Sequence, residues 1–592
     1  MAEWPSLTAM FLDQADRLGD HSFLWAKSGG IYAPISWRET STQVQSLARA
    51  LRRLGVVPGD RVMLCAENRP EWLIANLAVM AAGAITVPAY TTNTVADHHH
   101  ILSDSGAKVA IVSTAKLAER LIPAAQRADD VDVVISMEAP EAASLVRPRV
   151  LAWDDVLADG SARSDDVAAW VTERGLDDTA VIIYTSGTGG APKGVMLSHR
   201  AIRHNCRGAE DALREIGLGE DSFLSFLPLS HSYEFMAGQF FPIHIGADIY
   251  FAEGLEYLTR NLSEVRPTIM TAVPRLYEVM HGRIMRGIEK QGGLKAKLFL
   301  KAVELGRREI EQPGSLGFFE HVLNGLLDKL VRDKVRKTFG GRLKALVSGG
   351  APLNYDIGIF FAALGLRLLQ GYGQTESAPL ISVNRPLKNK LRTVGPPVID
   401  TEVKFAEDGE ILMRGENIMQ GYWRNPEATN EAVRDGWLHT GDIGRFDEDG
   451  YIEITDRKKD IIVNSGGDTL SPQRVEGFLT VQREIAQAMV HGDKRPHLVA
   501  VIVPDADFAA EWARAHDKPK ELAMLIGEKD FAAAIEDAIK RVNADLSVNE
   551  RVRRHILAAE PFTVDNEMMT PTLKVRRHKV RELYGARLEA LY

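Results

Sequence analysis

Only two of the 592 residues are cysteine, Cys65 and Cys206. They lie far apart, without His or Cys neighbours at metal-ligand spacing, so a disulfide framework and a zinc module are both excluded and a reducing compartment fits. Basic charge is not in excess: 71 Lys and Arg against 80 Asp and Glu leave a net charge of -9, which carries no nucleic-acid signature. The start, Met1-Ala2-Glu3-Trp4-Pro5, lacks the basic and apolar regions of a signal peptide, so export is not expected. The longest apolar stretch, Leu73 to Tyr90, is interrupted by Asn76, Gly83 and Pro88. It reads as a buried helix followed by a strand and not as a membrane span. Internal repeats and long low-complexity tracts are absent too. With 45% hydrophobic and 26% charged residues the composition is that of a soluble globular protein, long enough for two or three domains.

What is present centres on Tyr184-Thr185-Ser186-Gly187-Thr188-Gly189-Gly190-Ala191-Pro192-Lys193-Gly194-Val195. Apolar runs on either side, Ala180 to Tyr184 and Val195 to His199, predict strand, loop, strand. The glycines let backbone N–H groups converge, Thr185, Ser186 and Thr188 add hydroxyls, and Lys193 adds a cation. An anion cradle and a flexible hairpin fit this composition equally well. Pro192 before the lysine and Gly194 after it depart from the G-x-x-x-x-G-K-[ST] loop that opens a helix.

Residues 1–180 alternate helical and strand-like patterns, which predicts α/β layering. Gln43 to Leu54 and Glu71 to Ala82 read as helices, with Asn68-Arg69-Pro70 supplying a cap and a proline for the second; Arg61 to Cys65 and Val109 to Val112 read as strands. His98-His99-His100 has no acidic or Cys partner at ligand spacing and reads as an exposed helix start. Between Arg283 and Lys344, 15 Lys and Arg stand against 7 Asp and Glu. There Phe318, Phe319, Val322, Leu323, Leu326, Leu327, Leu330 and Val331 share one helical face, predicting a helix packed through them with a solvated basic side. The sharper alternative is a surface for anionic lipid or a phosphorylated partner. Two later strands, Leu343 to Val347 and Arg367 to Leu369, end in Ser348-Gly349-Gly350-Ala351-Pro352-Leu353 and Gln370-Gly371-Tyr372-Gly373-Gln374-Thr375-Glu376. Such ends are where open α/β sheets place ligands, so both belong to one site. The charged cluster at Thr455 to Asp460 marks a boundary: residues 1–455 form a large multi-layer α/β domain and 456–592 a small α+β domain.

In this order, the 184–195 loop, Leu227-Pro228-Leu229-Ser230-His231, Gly349 to Leu353, Gly371 to Glu376, Gly421-Tyr422-Trp423, Trp437-Leu438-His439-Thr440-Gly441-Asp442, Asp456 to Asp460 and Thr570-Pro571-Thr572-Leu573-Lys574 resemble the adenylate-forming superfamily of acyl-CoA synthetases, luciferases and peptide-synthetase adenylation domains. Ala272 to Tyr277, the segment after Arg283 and the last motif look most like its long-chain fatty acyl-CoA synthetase branch. The resemblance implies ATP-dependent, AMP-forming ligation of a fatty acid to CoA, with Mg²⁺. It places ATP phosphates on Thr185, Ser186, Gly187, Thr188, Gly189 and Lys193, and adenosine between Gly349, Gly350, Ala351 and Gly371, Tyr372, Gly373, with the ribose on Asp442 and Arg457. Glu376, with Thr185, would hold the metal; Thr375 would donate to the α-phosphate or the carboxylate; His231 would position the acyl carboxylate; Tyr233 would gate the acyl pocket. Lys574 would neutralise charge in adenylation, Lys459 would be a domain hinge, and Gly466 and Gly467 would face CoA.

Two positions depart from the family pattern. Gly189 stands where threonine is usual, which predicts altered ATP affinity, and Asp565 to Met569 lacks the glycine usual in that turn. The expected function is thus a long-chain fatty acid:CoA ligase. An acyl-AMP or acyl-carrier-protein ligase, a medium-chain or aryl acid CoA ligase, and a nucleotide-binding regulatory protein stand as alternatives. Nucleic acid is not an expected partner; the expected location is cytoplasmic, with peripheral contact at the inner face of a membrane through 283–344 as an option, and a homodimer stays open.

Overall fold

The computed structural model describes residues 4–138, 147–185, 191–458, 460–466, 468–570 and 574–592. Short apolar runs bounded by glycine or polar turns become the inner strands of two eight-stranded sheets. In the first, Leu368–Tyr372, Ala345–Ser348, Ile269–Ala272, Ser222–Ser225, Asp248–Phe251 and Ser22–Ser28 run parallel, with antiparallel edges at Ser382–Val383 and Ile31–Ser36. In the second, Thr179–Thr185, Ile85–Pro88, Arg61–Cys65, Val109–Val112, Val133–Ser136 and Arg149–Ala152 are parallel, and Lys193–Ser198 folds back antiparallel onto Thr179–Thr185. The expected hairpin around the phosphate loop is therefore present; Ser186, Gly187, Thr188 and Gly189 themselves lie outside the described residues.

The apolar stretch from Leu73 becomes the helix Pro70–Ala81, buried along every residue but Glu71, followed by the buried strand Ile85–Pro88. A helix apolar all round can only sit inside a core, and its Trp72, Leu73, Leu77 and Val79 join one cluster with residues of both large sheets. Pro70 takes the first helical position, but Arg69 makes no side-chain cap and Asn68 instead donates to Ser225 Oγ and Leu227 O.

An antiparallel sheet of Thr401–Phe405, Glu410–Gly415, Trp437–Phe446, Val433–Arg434 and Ile452–Arg457 completes the large domain. The smaller C-terminal domain packs the helices Pro472–Thr480 and Lys529–Asp545 on a three-stranded sheet of Ile485–His491, Leu498–Pro504 and Val552–Leu557. Contacts between the two domains are partly polar. Asn354 Nδ2 donates to Gly477 O at 3.2 Å, Arg286 pairs with Asp507 at 3.0 Å and Arg483 with Glu289 at 3.8 Å, and Val481 packs against the apolar cluster around Phe360.

Two expectations are corrected. The histidine run does start a helix, Val95–Ser105, capped by Thr94 and Asp97, but it is not exposed: His98 is fully buried and burial pushes its imidazole down to about 4. Its neighbours turn partly outward because successive helical positions lie about 100° apart. The apolar face at 318–331 is not packed as a whole either. Phe318, Phe319, Val322, Leu326 and Leu330 are exposed, and only Leu327, Leu323 and Val331 pack against the neighbouring helix Gly293–Glu311. No helix among the described residues is long and apolar enough to cross a membrane.

Candidate active site

The C-terminal ends of the parallel strands and the inner face of the small domain enclose a cavity of about 2330 Å³. Thr185, Lys193, His231, Tyr233, Gly349 to Ala351, Gly371 to Gly373, Thr375, Glu376, Asp442, Arg457 and Lys574 all line it. Residues up to 389 positions apart in the chain thus meet in one place, because adjacent parallel strands deliver their ends to the same edge of the sheet.

Asp442 and Arg457 are cross-strand partners in the antiparallel sheet, so register alone sets them side by side. Arg457 Nε donates to Asp442 Oδ1 at 2.9 Å and the Tyr372 hydroxyl donates to Oδ2 at 2.8 Å. Each carboxylate oxygen keeps a further lone pair for an incoming hydroxyl. Tyr372 cannot wander, since Gly373 beside it touches the chain so closely that an added Cβ would stand 1.9 Å from Pro379 O.

On the side of the 184–195 loop, the short strand Gly421–Tyr422 pairs with Lys193–Ser198. This places the Tyr422 hydroxyl on Glu376 Oε1 at 2.9 Å and the Tyr422 ring 5.2 Å from Lys193 Nζ. The base of the loop is pinned by Tyr184 OH to Asp104 Oδ2 at 2.5 Å and Trp423 Nε1 to Asp104 O at 3.0 Å. Thr375 shares a hydrogen bond of 3.0 Å with Ser232 Oγ.

His231 caps the turn that follows it, its Nδ1 accepting from Tyr233 N at 3.2 Å. Burial, then the nearby Lys574 charge, pushes the imidazole down to about 3. It is neutral at any working pH, with Nε2–H left to donate. Tyr233 OH donates to Val347 O at 2.8 Å, and its ring lies so close to Gly349 that a Cβ there would stand 3.1 Å away. Ala209, Ala212, Phe223, Met236, Phe241 and Ile269 also line the cavity and make up an apolar arm of its wall.

Lys574 enters from the small domain. Burial, then Arg457, lowers its ammonium to about 8, while Asp442 and Glu376 act in the opposite sense. In the turn without the usual glycine, Glu567 takes up the left-handed conformation at φ 61. Gly466 is held by Asn464 Oδ1 and does not line the cavity; Lys459 and Gly467 lie outside the described residues.

Sequence reasoning missed the contributions of Tyr422 and Ser232, although both sit inside or beside motifs it used. It also missed the anchoring of Lys458, which pairs with Asp408 at 2.6 Å and Glu410 at 3.1 Å.

Comparison with known proteins shows the family of the chain. The family model described as AMP-binding enzyme matches residues 11–423, and that of the AMP-binding enzyme C-terminal domain matches residues 459–592. A long-chain-fatty-acid–CoA ligase of Mycobacterium bovis is 32% identical, with 100% of this chain and 98% of the relative covered. Another, from Cavia porcellus, is 30% identical over 95% of this chain and 82% of its own. A solved structure of the A-PCP didomain of a carboxylic acid reductase from Segniliparus rugosus, in complex with AMP, aligns with a TM-score of 0.78 at 22% identity, covering 100% of this chain and 82% of that one; this likeness speaks for the fold. The chain belongs to the adenylate-forming AMP-binding enzymes, in their long-chain fatty acyl-CoA synthetase branch.

Proposed function

We propose that this protein activates a long-chain fatty acid with ATP to acyl-AMP, releasing pyrophosphate, and then transfers the acyl group to CoA. The observation that carries the reading is Lys574: a lysine of the small domain is enclosed in the same cavity as Glu376, Asp442 and His231. Adenylation brings a carboxylate to the α-phosphate of ATP, two anions, so the site must neutralise and position. Asp442 accepts from the ribose hydroxyls, with Arg457 holding its orientation. The 184–195 loop and Lys193 hold the outer phosphates, Thr375 donates to the α-phosphate, and His231 Nε2–H orients the fatty carboxylate. Lys574 faces the charge that builds between them.

The donor set fits Mg²⁺, which keeps most of its waters and needs only one or two protein oxygens besides phosphate. Glu376 supplies a carboxylate whose Oε2 makes no hydrogen bond among the described residues, Thr185 a hydroxyl, and no group of three or more His, Cys, Asp or Glu is present there to hold an ion without nucleotide. When bound, the ion would neutralise phosphate charge. The expected junction at 455/456 falls inside the strand Ile452–Arg457 of the large-domain sheet, so we place the junction just after Arg457 and the hinge at Lys459. Gly466 and Gly467 would face the pantetheine arm only after the small domain rotates, consistent with the distance of Gly466 from the cavity wall. We place the protein in the cytoplasm, with peripheral contact at a membrane.

The test is a product assay on purified protein with ATP, Mg²⁺, CoA and acids of rising length, following AMP, pyrophosphate and acyl-CoA separately. AMP together with acyl-CoA, increasing toward long chains, is expected. Pyrophosphate without acyl-CoA would reassign the acceptor, as in a carrier-protein ligase; no turnover with any acid would overturn the reading. The apolar arm adds a sharper expectation. Ala212→Phe adds bulk to the cavity wall beside Val347, Leu380 and Val383, so long-chain kcat/KM falls at least about tenfold while the shortest accepted acid is spared. Equal loss at all lengths would show that this arm does not hold the chain.

A further inference from the structure

We infer that the helix Phe318–Leu327 and the turn after it form a docking surface for an anionic lipid bilayer. Phe318, Phe319, Val322, Leu326 and Leu330 are 79%, 85%, 58%, 53% and 46% exposed. At about 100° per residue Phe318, Phe319, Val322 and Leu326 fall within one sector of roughly 100° on the helix, beside Leu323 and Leu327, which pack inward; Leu330 follows in the π-helical turn Asp328–Arg332. Such a wide apolar stripe exceeds what the fold needs, and contiguous exposed patches of this kind mark interaction sites.

Charge selects the occupant. In this helical block most acids are paired: Glu304 with Lys301, Glu311 with Arg307, Glu320 with Arg308, and Asp328 and Asp333 with Arg336; Glu309, whose Oε2 is buried without a partner among the described residues, is the exception. Lys295, Lys297, Lys329, Lys334 and Lys337 are exposed and make no ion pair among the described residues. Lys329 stands between the exposed Leu326 and Leu330. Uncompensated cations around an aromatic and aliphatic face match a bilayer with anionic headgroups, where apolar side chains enter the acyl boundary and each lysine meets the surface potential. A second copy meeting this face symmetrically would set lysine against lysine, which is unfavourable. The inference rests on the long-chain reading only for its use: long-chain acids partition into bilayers. The surface helix packs on Gly293–Glu311, which in turn packs on the helix Pro274–Gln291, whose Arg275 and Glu278 line the cavity.

The test is co-sedimentation of the full-length protein with vesicles of phosphatidylcholine alone or with about one third phosphatidylglycerol. We expect at least tenfold stronger binding to the anionic vesicles, weakened by salt. Phe318→Ser with Phe319→Ser, and separately Lys329→Glu with Lys334→Glu and Lys337→Glu, should each reduce binding about tenfold or more. AMP release with fatty acid carried on albumin should be unchanged, because none of these residues touches the cavity. Failure of the wild type to bind anionic vesicles, or variants binding as the wild type does, would overturn the proposal, as would a dimer seen by light scattering that the Phe318→Ser, Phe319→Ser variant loses. Vesicle binding without AMP release from any acid would sink the ligase reading and leave the surface standing.

Discussion

Lys574→Ala lowers acyl-AMP formation by about 10²–10³-fold, the usual effect of removing one preorganised charge from a developing transition state, and spares thioester formation from supplied acyl-AMP. The wild type carries a second signature, in pH. Burial and Arg457 lower the free enzyme's ammonium to about 8, and only the protonated form neutralises the phosphate. kcat/KM for ATP, which reports groups of the free enzyme, therefore falls as pH rises through about 8. Bound ATP brings phosphate beside Nζ and favours the charged form, so the same limb in kcat lies at higher pH. The alanine variant has no such limb. Pyrophosphate exchange across pH 6.5 to 10, an order-of-magnitude span around that value, checks both statements. Equal loss in the two half-reactions, or an unchanged alkaline limb in the variant, would remove Lys574 from the role.

Glu376→Gln is the second large effect, about 10²–10³-fold on adenylation with a raised Mg²⁺ requirement. The amide keeps the shape and the hydrogen bond from Tyr422, so the loss isolates the charge. Tyr422→Phe provides the comparison: a neutral hydrogen bond is worth about 1 kcal/mol, or roughly fivefold. The two variants also differ in sign at high pH. Glu376 raises the Lys574 ammonium, so the glutamine variant should begin its alkaline decline at lower pH than the wild type. Magnesium titrations of initial rate at several pH values separate these outcomes; a Glu376→Gln effect no larger than that of Tyr422→Phe would rule out metal ligation.

The inner strands and loop ends were legible because each is a local matter: β-branched residues in short runs, then glycine. The hairpin around Thr185 and the paired ends at Gly349 and Gly371 follow from that alone. What could not be read is which partners tertiary packing brings. Tyr422 reaches Glu376 across 46 residues and Arg457 reaches Asp442 across 15, through sheet register that no single segment encodes. Periodicity likewise says that Phe318 and Leu327 share a broad stripe, but not that a neighbouring helix covers only one edge of it. His98 shows the same limit, as its burial depends on helices and strands outside its own segment.

The junction between the domains has a thermodynamic meaning of its own. Asn354 to Gly477, Arg286 to Asp507 and Arg483 to Glu289 are polar contacts at or near solvent, with Val481 as the apolar addition. Exposed ion pairs contribute about 0–1 kcal/mol each, so these two pairs add little to holding the small domain in place. Enclosing a charged Lys574 works against even that, since its ammonium is depressed there. On the proposed reading, the ligand with the greater differential affinity would set the orientation of this domain: nucleotide with pyrophosphate still attached would draw the lysine in, and its departure would release the domain. On that reading, the order of the two half-reactions would follow from how weakly the halves adhere.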